Sequence, residues 1–257
     1  MGDTKVSSFK NRLVAASWHL LISAAIAALA AALVFGLWYP GAFRLLAGGQ
    51  DLFLLVVSVD VVLGPLLTFA VFNRAKGWPH LRRDLAVIGV LQLSALVYGL
   101  HTVYVARPVA LVFEVDRFRV VSVVDVYEPE LPKARPEYRN LPLTGPWTLA
   151  VRDAEAGAEK TDALMMALDK GYDMGQRPLF WAPYETARSA ALRRARLLRV
   201  LLDRYPVRAG EFNAALAGHG LSAETARFLP VMARGDWVAV LDAQGNVATF
   251  LAADGFF

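Results

Sequence analysis

Three runs of apolar residues dominate the first 106 positions of this chain, over 18–38, 52–72 and 85–105. A helix of about 20 residues, rising 1.5 Å per residue, crosses a hydrocarbon core about 30 Å thick. Each run therefore predicts a membrane-spanning helix. After Arg107-Pro108 the pattern changes to a period of two. Residues 109–115 and 119–127 are rich in β-branched side chains and predict two strands, with the Asp116-Arg117-Phe118 step as a tight hairpin. Pro129, Pro132, Pro136, Pro142 and Pro146 make 128–146 a long extended loop, and 147–152 reads as another strand.

A helical pattern follows over 158–169, with Leu164, Met165 and Leu168 on one face and Gly171 at its end. Residues 172–183 are irregular, 184–205 predict a longer helix, and 209–217 a short one stopped by Gly218 and Gly220. The chain closes on strands at 236–241 and 247–251 around the turn Asp242-Ala243-Gln244-Gly245-Asn246. The expected architecture is an α-helical membrane bundle of three transmembrane helices, residues 1–106. An α+β domain with three helices and a small, mostly antiparallel sheet follows, residues 107–257.

Charge orients this arrangement. Lys5, Lys10 and Arg12 precede the first span; Arg74, Lys76, Arg82 and Arg83 lie between the second and third; the first connection holds only Arg44. The positive-inside rule puts the N-terminus and the 73–84 loop in the cytoplasm. Residues 107–257 then lie across the membrane, in the periplasm if the source is Gram-negative. The first span has a basic leader, but its apolar run is longer than a signal peptide's 7–15 residues and lacks a small-residue cleavage site, so a retained anchor is expected.

The net charge is +4, yet residues 107–257 hold 19 basic and 19 acidic side chains. The surplus is entirely membrane-flanking, leaving no basic face for nucleic acid. With no cysteine in the chain, disulfides, thiol catalysis and Cys-ligated metals are excluded. A domain of about 150 residues buries enough core without staples.

Candidate chemistry is sparse. Asp60 and Pro65 interrupt the second span. A carboxylate in hydrocarbon is costly unless it is protonated, paired or facing a polar cavity. Pro65 frees a backbone carbonyl that needs another partner. Tyr98 of the third span comes to a similar depth, so a hydrogen bond from Tyr98 is the plain structural reading of Asp60. On the first span, Ala24, Ala28 and Ala32 form a small-residue stripe, as do Ser23, Ala27 and Ala31. Such stripes allow close helix packing, within the bundle or against a foreign helix. Trp38 and Tyr39 close that span as interfacial aromatics. The four histidines, His19, His80, His101 and His219, have no metal-pair spacing, and no nucleophile elbow or phosphate-binding loop is present. Glu114 and Asp116 are a weak carboxylate pair at a hairpin end. The arginines of 184–205 are spread around their helix and read as a solvated face. No catalytic, cofactor-binding or metal residue is assigned.

Several stretches together resemble a known family. Trp38-Tyr-Pro-Gly41, Asp51 with Val59-Asp60-Val61-Val62-Leu63-Gly64-Pro65-Leu66-Leu67-Thr68, Asp84-Leu-Ala-Val-Ile88, Tyr104-Val-Ala-Arg-Pro108 and Val112-Phe-Glu-Val-Asp-Arg-Phe-Arg-Val-Val121 carry it. They are similar to the type IV pilin accessory proteins, the TfpX/TfpZ group. Gln176-Arg-Pro178, Tyr184 and the Trp237…Leu241-Asp…Gly245 hairpin also fit, while the middle of the second domain departs most. The resemblance implies a non-enzymatic inner-membrane chaperone that binds a cognate type IV pilin without a cofactor. Its rival is a membrane-anchored periplasmic sensor or enzyme using the Asp60 helix as a relay.

Overall fold

The computed structural model describes residues 2–73 and 77–257, without the side chains of 2–8; Arg74, Lys76 and the Lys5 side chain lie outside the described residues. The chain divides into two compact units, residues 1–44 with 48–106, and residues 45–47 with 107–257.

The first unit is helical. Helix α1 (Gly2–Leu33) continues through widened i→i+5 turns at Val34–Trp38. A single turn, α2 (Phe43–Leu46), precedes α3 (Gly49–Ser58). Widened turns at Val59–Leu63 join α3 to α4 (Gly64–Val71), and α5 (Trp78–Val105) follows. Among the described residues, three helical stretches are long and apolar enough to cross a membrane: Phe9–Trp38, Gly49–Val71 and Trp78–Val105.

The first two stretches run antiparallel, because Phe9 meets Phe69 edge-on at 5.6 Å while Phe35 meets Phe53 at 5.1 Å. Gly99 lets α5 approach closely, since a Cβ there would collide with Val56. The buried Tyr39 donates its hydroxyl to the Val103 carbonyl at 2.8 Å, and Trp38 packs edge-on against Tyr104 at 5.1 Å. The aromatic pair thus fastens the end of the first stretch to the end of the third.

The second unit is built on one sheet. Its strands are β1 (Pro108–Glu114), β2 (Arg117–Ser122), β3 (Trp147–Val151), β4 (Trp181–Pro183), β5 (Arg196–Leu197), β6 (Arg227–Ala233), β7 (Gly235–Leu241) and β8 (Val247–Leu251). They run in the order β4-β3-β1-β2-β6-β7-β8, with β5 also paired to β6. The expectation of a small, mostly antiparallel sheet is corrected here. The sheet has eight strands and is mixed, because β1 pairs β3 and β2 pairs β6 in parallel. Parallel pairs require long crossovers rather than hairpins, and these leave no local sequence signature.

Other differences are local. The first hairpin turns at Val115-Asp116, with Val115 at φ 42°, rather than at residues 116–118. β2 ends at Ser122, where Ser122 and Asp125 cap a short helical turn, instead of continuing to 127. The helix expected over 184–205 is broken into α7 (Arg188–Arg194) and α8 (Leu198–Arg204), because Arg196–Leu197 pair with β6. The remaining helices are α6 (Ala158–Lys170), stopped by Gly171 in the left-handed conformation, and α9 (Ala209–Ala217).

Two apolar clusters flank the sheet. One joins Leu198, Leu201, Phe212 and Leu216 to Phe228, Val238 and Val240; the other joins Val109, Val112 and Leu149 to Val126, Tyr138 and Trp181. Tyr184 donates its hydroxyl to the Gly245 carbonyl at 2.6 Å, and burial pushes that phenol up to about 12.

Candidate functional site

The polar residues of the helical unit converge on one cavity. Pro65 sits in the first turn of α4, directly after the widened turns at Val59–Leu63. In an i→i+5 register the Asp60 carbonyl would take the N–H of residue 65, and proline has none. The Gln92 amide supplies the missing donor, reaching the Asp60 carbonyl at 3.0 Å. Gly64 makes room for it, since a Cβ there would collide with the Gln92 side chain.

Beside this junction lies an open cavity of about 250 Å³ between the first, second and third helical stretches. Ile22, Ile26, Val57, Leu93 and Leu96 form much of its wall; His19, Ser23, Asp60 and Gln92 are its polar residues. His19 Nδ1 lies 2.5 Å from Thr68 Oγ1. Asp60 Oδ1 is sealed from solvent and has no hydrogen-bond partner among the described residues. A polar atom stripped of water without a replacement partner is costly. The cavity wall therefore holds an unmatched acceptor just beneath its surface.

The sequence candidates fall on both sides of this site. Asp60 lines the cavity and Pro65 creates the carbonyl that orients Gln92. Tyr98 does not reach Asp60: it is 74% exposed, one residue off the inward line of Ile88, Gly99 and Val103 on α5. The expected depth is corrected as well: Gln92 stands level with Asp60, whereas Gly99, beside Tyr98, meets Val56 about one turn away. Ala24, Ala28 and Ala32 are exposed, whereas Ser23 and Ala27 of the other stripe line the cavity. Trp38 and Tyr39 hold the far end of the bundle, as described. His19 and Gln92 were not singled out as site residues from the sequence. Polar groups within apolar spans are site hypotheses by default, and that rule would have found both.

In the second unit the buried charges are internal supports. Glu114 accepts hydrogen bonds from Arg119 at 3.0 Å and from the Gly175 N–H at 3.0 Å. Asp116 lies exposed in the hairpin turn, so no carboxylate pair forms. Arg177, 2% exposed, binds the buried Glu130 at 2.5 Å and Asp162 at 2.6 Å. Asp173 and Gln176 cap each other's turn and so present Arg177 inward. Among the described residues, no group of three or more His, Asp or Glu side chains could hold a metal ion.

Similarity to known proteins runs along nearly the whole chain. A family described as "Fimbrial assembly protein FimB" matches residues 7–48. "Fimbrial assembly protein, serogroup I" of Dichelobacter nodosus is 37% identical over 241 residues, 93% of each chain. The chain belongs to the fimbrial assembly protein family. The serogroup E1 protein of the same organism is 35% identical over 241 residues, again 93% of each chain. The protein of serogroups C1 and C2 is 44% identical over 116 residues, 45% of this chain and 88% of that one. This relationship agrees with the pilin accessory resemblance carried by residues 38–121. No solved structure matches the chain.

Proposed function

We propose that this chain is an inner-membrane accessory protein that binds its cognate type IV fimbrial subunit and holds it ready for assembly, without chemistry of its own. The observation that carries this reading is the 37% identity to a fimbrial assembly protein over 93% of both chains. The open cavity adds a place for the contact. A subunit waiting in the membrane as an apolar helix would lay that helix against the groove, whose wall includes Asp60. The exposed Ala24, Ala28 and Ala32 stripe offers a second flat strip for the same helix, since small residues let backbones approach.

The charges flanking the spans orient the protein in this reading. The N-terminus is cytoplasmic, residues 1–106 form the membrane domain, and residues 107–257 form a periplasmic domain that meets the subunit's head. Alkaline phosphatase fused after Phe257 is then active, and fused near Lys76 inactive.

Purification of the full-length protein from its own membranes tests the binding. The fimbrial subunit is expected to come with it, and a clean deletion strain is expected to make subunit but lose most surface fimbriae. Normal fimbriae in the deletion strain, or full-length protein that never retains subunit, would overturn the proposal.

A further inference from the structure

Helix α6 leaves most of its apolar residues in water. An amphipathic surface helix turns its apolar stripe to the core and its charges outward. Here two carboxylates, Glu159 and Asp162, are drawn to arginines of the domain. Glu159 takes both terminal nitrogens of Arg152, at 2.7 and 2.9 Å, and accepts the Glu155 N–H at 2.6 Å. One turn on, Asp162 takes Arg177 at 2.6 Å. Arg152 and Arg177 each lie over the ring of the buried Phe180 at 4.9 Å. Two stacked guanidiniums thus hold the helix by its carboxylates. Ala163 and Met166 are its only buried apolar residues, while Leu164, Met165 and Leu168 stand 59%, 47% and 71% exposed.

We infer that this outward Leu164–Met165–Leu168 face is the surface with which the second unit docks the fimbrial subunit; the inference rests on the function proposed above. The charges around the face decide against a lipid surface. Interfacial helices carry a polar face rich in Lys and Arg. Around α6 the exposed residues include Glu155 and Asp169 as well as Lys160, and Lys170 lies over the Tyr127 ring. A stripe of two leucines at i and i+4 with a methionine between them suits an apolar groove on a protein. The ion pairs hold the helix in place before the partner arrives, so little ordering remains when it docks.

The absence of cysteine makes the test direct. Full-length protein carrying Leu168→Cys has a single thiol, to which a photo-crosslinker can be attached in native membranes. A matched protein carries Asn213→Cys on the exposed side of α9. Adducts with the fimbrial subunit are expected from position 168 and not from 213. In parallel, the double variant Leu164→Glu, Leu168→Glu changes only exposed positions. It is expected to accumulate normally and to retain subunit at least about tenfold less, a charged residue being disfavoured in an apolar contact. Wild-type protein that retains subunit, with no adduct from 168 and undiminished retention by the double variant, overturns this surface and leaves the proposed function standing. An adduct only with lipid or with a second copy also overturns it. Wild-type protein that retains no subunit removes both.

Discussion

Asp60 and Gln92 divide structural and functional polarity between two neighbouring residues. Gln92 donates to the Asp60 carbonyl, which the Pro65 junction leaves without a backbone donor. Its replacement by leucine strands that carbonyl in an apolar setting, at a cost of about 1–3 kcal/mol. The Asp60 side chain is the opposite case, because its Oδ1 has no hydrogen bond to lose among the described residues. Gln92→Leu should therefore lower the melting temperature of the purified protein. Asp60→Leu should leave the protein abundant and folded but deprive it of retained subunit, and Asp60→Asn, which keeps a polar head, should be mild. Detergent melts and subunit recovery on the three variants separate the two roles. Loss of folded protein from Asp60→Leu, matching Gln92→Leu, would make Asp60 a structural group instead.

At the scale of elements, α6 carries a pH dependence of definite sign. The Arg152 hydrogen bonds, with the Glu155 N–H, hold the Glu159 carboxyl down to about 2, from an ordinary value of 4.5. A depressed carboxylate stabilises the folded arrangement above its ordinary value and stops doing so as pH falls through the folded one. The tether should thus be intact at neutral pH and loosen between about 4.5 and 2. Amide exchange in α6 should accelerate in that window before exchange in the β6–β7 ladder does, and Glu159→Gln should show fast α6 exchange already at neutral pH. Equal exchange in wild type and Glu159→Gln at neutral pH would contradict the tether.

The same helix shows where periodicity stops informing. Spacing correctly grouped Leu164, Met165 and Leu168, but a hydrophobic stripe does not state which side faces the domain, and Arg152 and Arg177, both outside the helix, hold its carboxylate side instead. The break at Arg196–Leu197 has a similar cause, since good helix formers were recruited into a pairing with β6. Strand β6 has no counterpart in the sequence reading, and Pro230 within it is a residue that argues against a central strand. Its edge is shared, with Arg227 and Phe228 pairing β5 and Val231 and Met232 pairing β2. Pro230 falls in the gap, where that edge needs no donor. By contrast the final hairpin was legible, because Asp242 accepts the Gln244 and Asn246 N–H groups at 2.9 and 2.8 Å within the turn itself. The three apolar helices were legible from length and hydropathy alone. The cavity was half-legible: Asp60 and Pro65 announce themselves as anomalies, whereas Gln92 and His19 gain meaning only when helical phase brings them together.

At the scale of the whole molecule, the proposed function divides affinity from specificity between the two units. Packing of small and apolar residues within a membrane discriminates weakly between similar helices. The bundle offers mostly such surface, its polar residues being gathered at the cavity, so under the proposed function its contribution to partner choice is expected to be small. A mixed sheet bearing a helix tethered by ion pairs can discriminate more, because a mismatched partner leaves polar groups buried without hydrogen bonds. Exchanging residues 107–257 for those of a relative serving another subunit should then switch which subunit is assembled, while exchanging residues 1–106 should not. Surface fimbriae scored by subunit-specific antibodies, in strains expressing each chimera beside both subunits, give the readout. A switch that follows residues 1–106 would move recognition into the membrane and make the Asp60 cavity, rather than the outer face of α6, the place where the partner is chosen.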